Sequence, residues 1–438
     1  MRNLPLIIIN IYIIGTLLIS FFGPLKYLNY DRFSVVIYIF LFLTCLNIGF
    51  LFRHKINIVV NKPIKNSNTN IDNLFMNKKV IKLINISIYI GLMSITLEFI
   101  DTIVKNPSLL SLNQLGNNYM SIREELAGEN GYSLALIVRF LTGFFRNVVL
   151  ILAPYYFKQL SKSHKLLFFI YLLFLIMVNG IAYGTQKFLG DILIFLLIIW
   201  FIKMLDMSMV KRMKILKNSA ILMVLFVIVF SYMQVQRYDV IGVTATNFAE
   251  HSTGDSYYDT DHIIFDVFGD RLGFGIATMM SAYMSGGYYG LSLALQLPFE
   301  WTYGFGNSYI ASEILDRLHV VENLYEQTYL NRMLEEFGRD GLRTWNTIFP
   351  WLASDLTFLG ALLIFIPIGY VFGVTWYEIL RYRNPASILL FSILFLGFIF
   401  VPANNQLFNS IDTYISTVCI IIYWLFNHKK YNFTPENL

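Results

Sequence analysis

The sequence predicts an all-α, polytopic membrane protein with about ten transmembrane helices, eleven or twelve if re-entrant or interfacial helices are counted, and one large outer loop carrying amphipathic helices. Composition is the first reason: of 438 residues, 56% are hydrophobic and 14% charged, against about 25% charged in a soluble domain. Spacing is the second. Apolar runs of about 20 residues, long enough to cross a ~30 Å hydrocarbon layer, recur near 5–22, 34–52, 83–100, 132–153, 166–183, 189–205, 218–235, 349–376, 386–402 and 408–427. The third is the placement of Lys and Arg. With the N-terminus inside, the inner loops hold 20 basic residues and the outer loops 11, which predicts cytoplasmic termini and an outward-facing large loop. The chain thus divides into seven spans (1–235), an extracytoplasmic loop (236–348) and three further spans (349–438). The net charge of +5 orients the chain in the membrane; no basic patch with interleaved aromatics points to nucleic acid.

Taken in order, residues 1–22 hold one arginine and a long apolar run without a small-x-small cleavage site, as expected of an uncleaved first span. Cys45 and Cys419 both fall inside apolar runs, so no disulfide is expected in the outer loop. The Asn- and Lys-rich inner loop 57–77 is expected to be mobile. In the outer loop 101–131, leucines suggest short amphipathic helices, and Arg123, Glu124 and Glu125 a solvated face. The fourth span carries Arg139 and Arg146, seven residues apart and so on nearly one helix face. A charge at that depth costs at least a few kcal/mol and normally faces a bundle interior or a wet cavity. The two either bind a ligand or pair with Glu98, Asp101, Asp191 or Asp355 to hold helices together. Lys187 sits in a short outer turn as a candidate rim residue.

The large loop has its own chemistry. Between 218 and 427 there is no lysine, yet the loop holds Arg237, Arg271, Arg317, Arg332, Arg339 and Arg343. Guanidinium groups make forked bonds to phosphate and carboxylate that an ammonium cannot. The set therefore suggests an anionic ligand, with ion pairing to local carboxylates as the alternative. Asp255, Asp259, Asp261, Asp266 and Asp270, with His251 and His262, fit neither a calcium-loop nor a zinc-helix spacing, so no metal is expected. Residues 281–307, rich in glycine and tyrosine, suit a membrane interface where backbone approaches a ligand or the bilayer. Residues 310–337 show helical amphipathic spacing. Arg332, Arg339 and Arg343 lead to the eighth span, where Asp355 lies inside an apolar helix and needs a cation or donor, the arginines being the obvious candidates. No serine nucleophile motif, Walker loop or dinucleotide fingerprint occurs, and Gly304-x-Gly306 lacks a third glycine.

Three features together, the layout of spans around one outer loop, the block Tyr283 to Gly304, and the run Asn346 to Gly360, resemble the Wzy-type polymerases of O-antigen and capsular polysaccharide repeat units. The likeness covers most of the chain in layout and about forty residues in sequence. The related O-antigen ligases usually carry a histidine where this chain has Trp345. The resemblance implies an inverting, metal-independent glycosyl transfer without cofactor on the outer face of the bacterial plasma membrane. Its partners would be undecaprenyl-diphosphate-linked oligosaccharides, membrane lipids and a chain-length regulator. On that basis Arg271 and Arg343, then Arg139, Arg146 and Arg339, are the candidate diphosphate ligands. Asp355, Asp270 or Glu300 is the candidate base; Tyr288, Tyr289, Trp301, Tyr303 and Asn346 are the candidate sugar contacts. The alternatives are a transporter of lipid-linked oligosaccharide, a ligase-like glycosyltransferase, and an enzyme using a polyprenyl monophosphate sugar. Transporters usually show related halves, and none is seen here. Enzymes of the last type carry an acidic pair in the first outer loop, where 23–33 offers only Asp31.

Overall fold

The structure, a computed structural model, describes residues 2–57, 69–105, 116–119, 133–252 and 256–428. Most of the outer loop 101–131, including Arg123, Glu124 and Glu125, lies outside these residues, as do the centre of the inner loop 57–77 and Asp255. The described residues are mostly helical. In the first half run α1 (Leu4–Phe22), α2 (Arg32–Asn57), α3 (Thr69–Lys105), α4 (Leu134–Tyr155), α5 (Lys162–Leu175), α6 (Lys187–Met204) and α7 (Met209–Val240). The outer loop contributes the short helices α8 (Phe248–His251), α9 (Ile263–Ala277), α10 (Gly287–Ala294), α11 (Tyr309–Arg317) and α12 (Tyr329–Phe337). The chain closes with α13 (Ile348–Leu363), α14 (Phe365–Tyr382), α15 (Pro385–Phe400) and α16 (Tyr414–His428).

Among the described residues six helices are long and apolar enough to cross a membrane, seven if α13 and α14, bent by 60° at their junction, form one span. The chain is therefore an α-helical, multi-pass membrane protein. Helix α1 shows why these helices need lipid as solvent. Leu6, Ile9, Ile13 and Leu17 are buried on one face, while Ile7, Ile11, Ile14, Leu18 and Phe22 stand exposed on the rest. Apolar on every side, the helix satisfies its backbone internally and presents only hydrocarbon outward.

Contacts divide the chain into two compact units that cut across the order of the sequence. One comprises Met1–His54, Val227–Val374 and Phe395–Ser410, the other Lys55–Phe226, Thr375–Leu394 and Ile411–Leu438. In the first unit a strand that the all-helical expectation omitted, β1 (Leu25–Tyr27), pairs antiparallel with β2 (Ser256–Tyr258), Leu25 opposite Tyr258. The first loop and the large loop thus share one end of this unit. Helices α2 and α14 cross closely: a Cβ on Gly49 would lie 2.0 Å from the Ile366 carbonyl oxygen, and one on Gly369 2.5 Å from that of Leu46. Small residues at such crossings let backbones meet where no hydrophobic effect draws helices together. In the second unit α3, α4, α5 and α16 form the bundle. Ser133 and Ser161 cap α4 and α5 by accepting the Leu136 and His164 N–H, and α5 runs on as a π-helical turn over Ile176–Ala182.

Candidate functional site

The stretch 281–307 is expected at the membrane interface, but its central helix α10 is wholly buried within the first unit. The glycines permit close approach to the chain itself rather than to lipid. A Cβ on Gly287 would stand 2.1 Å from the Pro402 carbonyl oxygen and 2.7 Å from the Thr347 nitrogen. The Tyr288 hydroxyl bonds with Thr16 in α1 at 2.9 Å. Tyr289, 5% exposed, stacks on Tyr27 at 4.4 Å between ring centroids. Neither ring offers an open face to a sugar.

Arg339 reaches this core because α12 ends in a tight reversal. Gly338 adopts φ 68°, a left-handed conformation that costs glycine little. Its N–H donates to the Leu334 carbonyl and that of Arg339 to Met333, closing the helix and turning the next side chain inward. The guanidinium donates from Nη2 to the carbonyls of Gly286 (3.2 Å) and Trp345 (2.8 Å), and from Nε to Asn346 Oδ1 (3.3 Å). It lies over Tyr289, 5.1 Å from the ring centroid. No carboxylate among the described residues comes within ion-pair distance, and Nη1 meets no protein acceptor. Burial pushes the pKa of the guanidinium down while Tyr27 and Tyr289 act the other way; a guanidinium nevertheless stays charged in a protein.

The two stretches that carry the resemblance meet at Asp355. Its Oδ1 accepts from the Thr302 hydroxyl (2.5 Å) and the N–H groups of Gly304 (2.9 Å) and Gly306 (3.1 Å). Its Oδ2 accepts from the backbone and side-chain N–H of Asn307, both at 2.8 Å. The expected arginine partner is replaced by a loop of backbone amides, which satisfies a buried carboxylate as well as a cation does. Every acceptor position is in use, so Asp355 is placed as a clamp on the loop and poorly placed as a base. The clamp holds Tyr303 at φ 56° and Gly304 at φ 88°, the former an uncommon state for a non-glycine residue. Held so, Trp301 and Tyr303 stand exposed at 57% and 54%, with ring centroids 5.0 Å apart.

The remaining candidates in this unit lie at its surface. Arg271, its side chain 70% exposed, pairs with Asp239, and Arg343, 69% exposed, pairs with Asp340. For these two the ion-pairing alternative describes the geometry, and Asp270 beside Arg271 is likewise exposed. Glu300 meets Arg332 at 3.2 Å, and Arg332 also donates to the Pro298 carbonyl, fixing the base of the Trp301 loop. Asn346 serves the interior: its Oδ1 accepts from Arg339 and its amide donates to the Thr344 carbonyl.

Arg139 and Arg146 belong to the second unit, in a buried ionic cluster. Arg139 grips Asp412 with two bonds, Nε to Oδ1 at 2.9 Å and Nη2 to Oδ2 at 2.6 Å, and reaches Glu98 through Nη1 at 3.2 Å. Arg146 bonds the other oxygen of Glu98, and its Nε lies 3.8 Å from Asp412. Two guanidiniums and two carboxylates cancel, as a cluster at this depth requires. Of the partners expected, only Glu98 is used. Asp412 was missed, although a lone carboxylate opening an apolar run is a signal of the same kind as Asp355. No protein-family model, curated protein or solved structure matched the chain.

Proposed function

We propose that this chain is a Wzy-type polymerase of the bacterial plasma membrane, with about ten spans, both termini in the cytoplasm and the large loop outside. It joins undecaprenyl-diphosphate-linked oligosaccharide repeat units. The hydroxyl at the non-reducing end of one unit attacks the anomeric carbon of the growing chain as the bond from that carbon to the diphosphate oxygen breaks. The configuration inverts, the hydroxyl proton passes to a carboxylate, and undecaprenyl diphosphate departs with the electron pair. A chain-length regulator is the partner this chemistry calls for.

The observation that carries the reading is Arg339, a buried guanidinium without a carboxylate, fixed by carbonyls and an aromatic ring. A preorganised cation of this kind stabilises negative charge developing on a departing diphosphate without reorganising. Arg271 and Arg343, already paired at the surface, contribute less, and so do Arg139 and Arg146, already neutralised. Glu300 is the favoured base, because it adjoins Trp301 and keeps an oxygen outside its Arg332 pair. Trp301 and Tyr303 supply the sugar-stacking surface. The test is polymer length in cells lacking the gene and complemented with Arg339→Lys or Glu300→Gln at equal protein level. Each variant is expected to leave single repeat units on the acceptor; wild-type polymer from both contradicts the reading.

A transporter of the same lipid-linked units is the second reading, and the 60° break between α13 and α14 favours it, since discontinuous helices line many transport sites. Repeat units that reach the outer face unlinked in the deletion strain support the polymerase. Their absence outside supports transport.

A further inference from the structure

Within the second unit the turns from α4 to α5, from α6 to α7 and from α14 to α15 meet around Tyr155, the last residue of α4. Lys203, in the last turn of α6, donates from Nζ to the Pro154 carbonyl at 2.9 Å and lies 5.5 Å from the Tyr155 ring centroid. Lys158, exposed just beyond α4, is close enough for its ammonium to repel that of Lys203. Arg383 and Asp206 are close enough to act on the Tyr155 phenol.

The charges of this cluster do not balance. Arg383 takes both oxygens of Asp206, Nε to Oδ2 at 3.0 Å and Nη2 to Oδ1. Glu378, on α14, is buried and turned inward to the Ser387 hydroxyl and the Trp424 indole. Among the described residues neither Lys158 nor Lys203 forms an ion pair. The carbonyls that end α4 attract a cation, and Lys203 answers them. Lys158 makes no such bond and adds a second positive charge beside the first. The neighbouring helices reinforce this: α5 opens with Lys162 and α7 with Lys211 and Arg212 in the first turn, and neither has an acidic residue there. Positive side chains thus stand at positive helix poles, the reverse of the arrangement that steadies a helix.

The cluster also has a depth. Helices α4, α5 and α7 are among those long and apolar enough to cross a membrane, so their ends mark the level of the lipid head groups. Beyond that level α7 presents Met213, Leu216, Ile221 and Val224 outward. A free anion would meet only the charge of this surface, whereas a phospholipid meets both the charge and the apolar flank. We infer that the cluster is a binding site for an acidic phospholipid, its phosphate seated between the ammonium groups of Lys158 and Lys203 and its acyl chains lying in the bilayer. Basic clusters where transmembrane helices end bind acidic head groups by the same attraction.

Native mass spectrometry of the full-length protein, released from nanodiscs holding equal amounts of phosphatidylglycerol and phosphatidylcholine, identifies the lipids that stay bound. It needs no substrate, so the result stands apart from the polymerase reading. The wild type is expected to retain phosphatidylglycerol in preference, and each of Lys158→Gln and Lys203→Gln to weaken that preference about five-fold. Lys214→Gln/Lys217→Gln, which removes two exposed charges from α7, is the control and is expected to keep it. If Lys203→Gln does not fold, Lys158→Gln, at an exposed position, decides alone. Equal retention of the two lipids by the wild type, or wild-type preference in Lys158→Gln, overturns the proposal. So does an equal loss in the control pair, which would mean a diffuse surface charge, or displacement of the lipid by millimolar inorganic phosphate, which would mean a site for a free anion.

Discussion

Arg339 rests over the ring of Tyr289, 5.1 Å from guanidinium carbon to ring centroid. A cation over an aromatic face gains about 0.5–2 kcal/mol, and its three bonds to carbonyl and amide oxygens add to that. Burying a guanidinium without a carboxylate still costs several kcal/mol. Among the described residues no carboxylate offsets that cost, and carbonyls, the Asn346 amide oxygen and the Tyr289 ring are what surround the charge.

Asp355→Asn tests the loop clamp. The amide presents one acceptor oxygen and turns a donor toward N–H groups that already donate, so bonds worth about 1.5–3 kcal/mol each to a charged acceptor are lost. The variant is expected to unfold at lower temperature in detergent and to be cleaved by protease between Thr302 and Asn307. Unchanged melting and protease resistance would show that the loop holds itself.

Gly287→Ala is expected to be severe, because backbone atoms of Pro402 and Thr347 stand where the methyl would go. Gly15→Ala is the contrast: nothing lies within 4 Å of its Cβ position in α1. It is expected to be neutral or to stabilise by up to about 1 kcal/mol. Thermal unfolding of the two variants side by side measures the difference, and equal melting points would place α10 away from the interior.

The cluster of Glu98, Arg139, Arg146 and Asp412 is expected to behave as a unit. Glu98→Gln or Arg146→Met alone leaves an unmatched charge at depth and costs about 3–5 kcal/mol. The double variant Glu98→Gln/Arg146→Met restores part of the balance and is expected to cost less than the sum of the two. Denaturation in mixed micelles gives the cycle; strict additivity would mean that the pair does not interact.

Alkaline pH probes the packing of β1. Burial pushes the Tyr27 phenol up to about 12, with Tyr289 adding and Arg339 opposing, from an ordinary value near 10. The folded state thus holds its proton more tightly than the unfolded chain. Stability is complete below about pH 10 and is lost as pH rises toward 12. Tyr27→Phe, which cannot ionise, is expected to lose less stability over that interval than the wild type in pH-dependent unfolding. Identical profiles would put the phenol in water.

Much of the architecture is legible in the sequence because apolar runs of span length have few other uses. Each of the ten runs overlaps a helix or the bent pair α13–α14, but among the described residues six helices, or seven with that pair as one span, are long and apolar enough to cross a membrane, and α6, α15 and α16 are not among them. The clamp on Asp355 and the burial of Arg339 were not legible. The clamp depends on bonds across 48 or more residues, as from Asn307 to Asp355, and the burial of Arg339 on a reversal at Gly338 that resembles any other glycine in a polar stretch. Arg271 and Arg343 look equivalent to Arg339 in the sequence. Only folding distinguishes a guanidinium with an Asp beside it from one without.

The most direct measurement is the release of undecaprenyl diphosphate by purified protein from lipid-linked repeat units, comparing Arg339→Lys and Arg339→Gln with Arg271→Lys at matched thermal stability. The loss of one forked, charge-assisted contact to the departing group, about 1.5–3 kcal/mol, corresponds to roughly a 10- to 100-fold fall in rate. That fall is expected for both Arg339 variants, with Arg271→Lys close to wild type. Release at the wild-type rate from folded Arg339→Lys and Arg339→Gln would contradict the account.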